Sequence, residues 1–175
     1  GRSDIQLLAV GDGAERQRLS DECHSAGLRN VRFTGRLPKE QIAGLLASVD
    51  ACLVHLRRQP LFKSVLPSKI FEAAAMERPI VIGVRGYAES LIERAACGIA
   101  IEPENEQELV AALVRLADDR ALGERLGRAG RRVLLASFDQ EALAAQYLKL
   151  LQALAPSPVP VVTADLHGVK PQGIA

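Results

Sequence analysis

Aromatic residues are scarce in this sequence. Tryptophan is absent, Phe and Tyr together number six, and the three aromatic types make up only 3% of the chain. A core must therefore be assembled from Ala, Leu, Val and Ile, which the 48% apolar content supplies. There is no excess of charge of one sign: 22 basic residues face 21 acidic ones, so no nucleic-acid partner held by bulk electrostatics is expected. Cysteines are three and widely spaced, at Cys23, Cys52 and Cys97, without a CxxC pair or a Cys/His cluster. That pattern argues against a disulfide framework or a zinc site, and suits reduced thiols packed as small hydrophobes in a cytoplasmic setting. No Asp-x-Asp motif offers a metal site. No apolar run approaches the ~18 residues of a membrane span, and nothing at the start reads as a signal peptide.

What is there alternates. Short apolar runs of strand length, IQLLAV (5–10), NVRF (30–33), ACLVHL (51–56), PIVIGV (79–84) and GIAI (98–101), are separated by helical periodicity. The first helix, Ala14 to Ala26, should stop at Gly27 as its C′ residue. The second should start with Pro38 in its first position, with Ile42, Leu45, Leu46 and Val49 on one face. Asn105 with Glu108 has capping-box spacing, and Ser137 with Gln140 repeats it ahead of a last helix over 138–154. Strands alternating with helices mean a doubly wound α/β domain with a parallel sheet, over residues 1–154. Residues 155–175 form a Pro-rich tail without periodicity.

Ligands in such folds sit beyond the carboxyl ends of the strands. The glycine turn 11–13, residues 34–37, the basic loop 56–68 and residues 83–86 all fall there. A dinucleotide fingerprint at GDGAER fails, because Arg16 stands at the third glycine and no acid ends the second strand. No P-loop exists. The informative stretch is FKSVLPSKIFEAAAMERPIV (62–81). Pro67 presets a helix start whose free N–H groups suit an anion, Lys63 and Lys69 add cations, and Ser64 and Ser68 add donors. Glu72, four residues beyond Ser68, is placed to accept hydrogen bonds from a ribose diol one turn deeper. The bland alternative is an i,i+3 surface pair between Lys69 and Glu72 with Lys63 solvated. His55 reads as a satisfied strand-end histidine ahead of a sugar contact, Arg57 and Arg58 as a solvated pair ahead of a supplement to the phosphate site, and Glu89 as a support behind the site or a helix N-terminal charge.

VGDG, VRFTGRL, SVDACLV, PSKIFEAAAMERPIV and CGIAIEP, in this order and spacing, resemble the C-terminal half of group 1 glycosyltransferases, retaining enzymes of the GT-B fold. The resemblance runs from about Gln6 to Leu154. It implies that Glu72 holds the nucleotide ribose, that backbone around Ser68 and Lys69 cradles the diphosphate, that Arg36 and Leu37 line the nucleobase, and that Gly11 and Gly13 form the turn at the domain cleft. Lys63, Lys69 and Glu72 are the expected catalytic set, with Gly11, Gly13, Arg36, Leu37, Ser64, Pro67 and Ser68 binding substrate and no metal or cofactor beyond the nucleotide-diphosphate sugar. Two departures stand out. Ser64 occupies the place of the family's first glutamate, as in a subgroup that transfers amino sugars. The family's first strand and helix, with two phosphate-binding cations, are not in this sequence, nor is the N-terminal acceptor domain. The expectation is the donor-binding half of a transferase for surface polysaccharide or glycolipid, inactive alone and located in the cytoplasm or at the inner membrane face through the missing domain. The alternative is a non-catalytic nucleotide-sugar-binding or regulatory module. Because the missing strand would sit centrally, IQLLAV should lack one neighbour, to be repaired by a homodimer of the fragment or by the tail's VPVVTADL docking as an edge strand.

Overall fold

The computed structural model describes residues 2–154. Five strands and seven helices alternate: β1 (Leu7–Val10), α1 (Arg16–Ser25), β2 (Val31–Gly35), α2 (Lys39–Ser48), β3 (Cys52–His55), α3 (Lys69–Ala75), β4 (Ile80–Gly83), α4 (Tyr87–Ala95), β5 (Gly98–Ala100), α5 (Glu106–Asp118), α6 (Arg120–Gly130) and α7 (Gln140–Leu154). A 3-10 turn, Pro60–Ser64, interrupts the loop after β3, and a π turn, Arg131–Leu135, extends α6. All strand pairings are parallel. The fold is therefore the expected doubly wound α/β.

The strands do not form one sheet. β1 pairs only with β2, while β3, β4 and β5 make a second sheet in that order. Among the described residues β1 and β3 each keep one edge without a strand partner. The tail segment proposed to repair that edge lies outside the described residues.

The buried core sits entirely in the second sheet and its helices, from Val54 to Leu134. β4 is buried along its whole length, which suits a central parallel strand covered on both faces. Val81 packs with Ile101 just beyond β5, with Ala112 and Leu116 on α5 and with Leu122 on α6. Strand alternation sends Ile80 and Ile82 to the opposite face, where the buried side chains Ile70, Ala73 and Ala74 of α3 and Ala88, Leu91 and Ile92 of α4 lie. Small residues let α6 close in: a Cβ on Gly127 would stand 1.9 Å from the Glu77 carbonyl oxygen. Glu77 itself turns the chain from α3 to β4 with φ 55°.

Helix ends follow sequence chemistry with small shifts. Gly27 takes φ 68° and donates its N–H to His24 O at 3.0 Å, so it is the stop residue expected. Pro38 is the N-cap of α2, one position before the helix rather than its first residue; its ψ of 144° is extended. Asn105 Oδ1 accepts from both Gln107 and Glu108 N–H at 3.1 Å. The second expected box is corrected. Within residues 138–154, considered as a unit of its own, Asp139 caps α7 by accepting from Ala142 N–H at 2.8 Å. An ionised carboxylate at the cap outcompetes a serine hydroxyl two residues earlier. No helix among the described residues is long and apolar enough to cross a membrane.

Candidate functional site

The residues singled out by sequence fall into two groups, one at the end of each sheet. At the end of β1, Gly11 has φ 125° and donates its N–H to Gly35 O at 2.9 Å, closing an isolated antiparallel bridge between the two turns. Gly35 also needs its glycine conformation, with φ 70°. This brings the Gly11–Gly13 turn beside the residues leading into Arg36 and Leu37. An open depression of about 290 Å³ lies here, lined by Gly11, Asp12, Gly13, Arg16, Leu19 and Phe33 among others. The Arg16 guanidinium crosses the Gly35 backbone and lies 3.8 Å from the Asp12 carboxylate. Arg36 is exposed and Leu37 half-buried.

At the end of β3 the chain runs through exposed Arg57 and Arg58 into the 3-10 turn that carries Lys63 and Ser64. Ser64 Oγ donates to Leu61 O at 3.2 Å. Pro67 O accepts from Ile70 N–H at 3.2 Å, and Ser68 O accepts from Phe71 N–H at 2.9 Å and Glu72 N–H at 3.4 Å, so α3 begins where the proline directs it. The Ser68 side chain caps nothing. Lys63, Ser68, Lys69 and Glu72 are all exposed. Among the described residues the Lys69 ammonium and the Glu72 carboxylate make no ion pair and no side-chain hydrogen bond, nor does Lys63. The surface pair offered as the bland alternative is therefore not formed. Ser64, Pro67, Ser68, Lys69 and Glu72 share one loop and one helix start. No hydrogen bond among the described residues joins this group to the Gly11–Leu37 group.

Glu72 is near enough to β3 to act on its first residue. Burial pushes the Cys52 thiol up to about 11, with the Glu72 carboxylate adding to the shift and the Arg78 guanidinium opposing it. Burial alone drives the Cys97 thiol to about 11 as well. Both behave as packed hydrophobes, as their spacing suggested. Among the described residues no His/Cys/Asp/Glu group could hold a metal ion.

His55 is satisfied. Its Nε2 accepts the Glu104 backbone N–H at 2.9 Å, supporting a residue with φ 62°, and its ring lies against Gly83. Glu89 Oε2 accepts the Gly86 N–H at 3.2 Å at the start of α4, the role expected for it. Sequence reasoning missed the ionic connections at this edge. Arg85 binds both Glu89 and Glu102, the latter also through Nε at 2.7 Å. Arg58, read as solvated, reaches Glu102 at 3.4 Å and donates to Pro103 O at 3.0 Å. Arg85 and Glu102 lie 17 residues apart, with no local pattern to connect them.

Comparison with known proteins identifies the family. Residues 1–133 match the family model described as glycosyl transferases group 1, and the chain belongs to that family. It is 30% identical over 145 residues to the lipopolysaccharide core biosynthesis glycosyltransferase LpsD of Rhizobium meliloti, covering 82% of this chain and 40% of the relative. It is 29% identical over 154 residues to a GDP-mannose-dependent mannosyltransferase of phosphatidylinositol monomannoside in Corynebacterium glutamicum, at 87% and 40% coverage. Among solved structures it resembles the sucrose-phosphate synthase of Thermosynechococcus elongatus, with a TM-score of 0.72 and 27% identity over 85% of this chain and 38% of that one. Anabaena HepE in complex with UDP-glucose superposes with a TM-score of 0.74 at 22% identity, over 87% and 42%, a likeness of fold. The chain thus spans about 40% of the curated relatives' length.

Proposed function

We propose that the chain is the donor-binding half of a retaining glycosyltransferase, which moves a sugar from a nucleotide-diphosphate donor to an acceptor in surface polysaccharide or glycolipid synthesis. The observation that carries this is the turn before α3 and the start of that helix, where Lys63, Lys69 and Glu72 stand exposed with no ion pair or side-chain hydrogen bond among the described residues. Three charged groups without an ion pair among the described residues are available there to a ligand that is anionic at one end and a diol at the other. Lys63, Lys69 and the first free N–H groups of the helix would take the diphosphate, with Ser64, Pro67 and Ser68 shaping the turn. Glu72, deeper along the helix, would accept from the ribose hydroxyls. Gly11, Gly13, Arg36 and Leu37 would line the other side of the nucleotide. As the glycosidic bond breaks, negative charge grows on the departing diphosphate, and preplaced cations stabilise that charge more than the ground state. The rest of the transferase would supply the acceptor, and a homodimer of the fragment would cover the open sheet edge.

Titration calorimetry of the chain with UDP, GDP and ADP tests this reading. The chain alone should bind weakly, and Glu72→Ala should weaken binding by about 1.5–3 kcal/mol, the scale of hydrogen bonds to a charged group, or roughly 10- to 150-fold. Equal affinity in wild type and Glu72→Ala would remove Glu72 from the site. Lys63→Ala and Lys69→Ala should each discriminate against diphosphates relative to monophosphates, less so as salt rises.

A further inference from the structure

The loop that carries Lys63 and Ser64 is attached to the second sheet at two points, and both attachments lead to one carboxylate. At its start, Arg58 reaches Glu102 Oε1 at 3.4 Å and Pro103 O at 3.0 Å. At its far end, the Lys63 backbone lies against Gly86 so closely that a Cβ there would be 2.3 Å from Lys63 O and 2.9 Å from Lys63 Cα. Gly86 is in turn held by Glu89, Glu89 by Arg85, and Arg85 by Glu102. Glu102 has a fixed base for this work, because its own N–H donates to Glu108 Oε2 at 2.6 Å and Glu108 also accepts from Asn105 Nδ2 at 2.7 Å. The Glu102 side chain is only 27% exposed, whereas Arg58 and Arg85 are 60% and 45% exposed. An ion pair between exposed side chains contributes little alone, but a bridge in which one carboxylate orients two guanidinium groups fixes geometry.

We infer that Glu102, just beyond the end of β5, is a positioning residue for the nucleotide-diphosphate site: it holds both ends of the 58–63 loop and so sets where Lys63 stands. This rests on the functional reading given above. It also carries a distinctive sign. If Glu102 were only a negative charge near an anion site, its removal would strengthen diphosphate binding. If it positions Lys63, its removal weakens that binding despite the gain in positive potential.

The experiment has two independent readouts on Glu102→Gln. Amide hydrogen exchange at Phe62 and Val65, whose N–H groups bond to Gln59 O and Phe62 O, should rise by roughly an order of magnitude as the loop is released. The ratio of UDP to UMP affinity should fall about fivefold or more, while UMP binding and the unfolding midpoint change little. Arg58→Gln, a substitution at an exposed side chain, should reproduce the exchange effect at the loop start without touching Arg85. Unchanged exchange in both variants would overturn the clamp. Faster exchange with an unchanged or raised UDP/UMP ratio would overturn the link from clamp to site. A wild-type chain that binds no diphosphate would remove the functional reading and the positioning role with it, while the exchange readout would still decide whether Glu102 holds the loop.

Discussion

Residues 2–50 and residues 52–134 are built to the same plan, strand followed by helix with parallel pairing, yet they bury very different amounts. In the second region Ile70, Ile80, Ile82, Ile92 and Leu134 are fully enclosed. In the first, neither α1 nor α2 has a buried residue, and Leu7, Val10, Leu19 and Leu28 are exposed. Composition does not explain this, because IQLLAV is as apolar as PIVIGV. Neighbours do. β4 has a strand on each side and helices on both faces, whereas β1 has β2 alone and an open edge. A strand is only as buried as the elements that flank it. The two regions meet where α2 lies against α3, where Arg2 reaches Asp118 at 2.8 Å and where Arg78 donates to Val49 O at 3.0 Å.

The sharpest way to break this contrast is a matched pair of truncations. Ile92→Ala should cost about 2–5 kcal/mol in equilibrium urea unfolding, the range for a fully packed aliphatic side chain. Leu19→Ala, from a side chain already 39% exposed, should cost less than about 1 kcal/mol. Similar losses would mean that the first region is as well packed as the second. Glycines give the next largest difference, and here the sign should change. Gly127→Ala places a methyl on the Glu77 carbonyl and should destabilise by about 1–3 kcal/mol despite its better helix propensity. Gly44→Ala, in α2 with open space around it, should stabilise by about 0.5–1 kcal/mol.

The smallest effect separates the thiols. Iodoacetamide at mild alkaline pH should label half-buried Cys23 on α1 first, and Cys97 last. Cys52 and Cys97 stay protonated in the folded chain up to about 11, whereas an unfolded thiol ionises near 8.5–9. The unfolded state therefore releases protons first. Stability from these two sites is intact below pH about 9 and declines as pH rises toward 11. A stability curve flat from pH 8 to 11 would contradict their burial.

All five strands were legible in the sequence, because continuous apolar runs bounded by glycine and proline leave little else for them to be. The α3 start was legible for a similar reason, since Pro67 fixes the backbone before any tertiary contact forms. Caps were less so. Ser137 with Gln140 matched a pattern, but Asp139, nearer the helix and charged, took the position. The split into a β1–β2 pair and a β3–β4–β5 sheet was not legible, since no residue in β1 or β3 records which strand it pairs with. The Arg58–Glu102–Arg85 bridge left no local trace, because its members meet only after β3, β4 and β5 align. His55 was legible as a satisfied strand-end histidine, but its partner, the left-handed turn at Glu104, was not.

The placement of the core between Val54 and Leu134 has a consequence for how the chain is made. Synthesis proceeds from the amino end at roughly 5–20 residues per second, so residues 2–50 leave the ribosome several seconds before Leu134 does. During that interval β1 and β2 lack the elements of residues 52–134, and a strand pair without further cover is at best marginally stable. The glycine turn and the Arg36 loop thus emerge before the core of residues 54–134 and settle only once that core has been delivered.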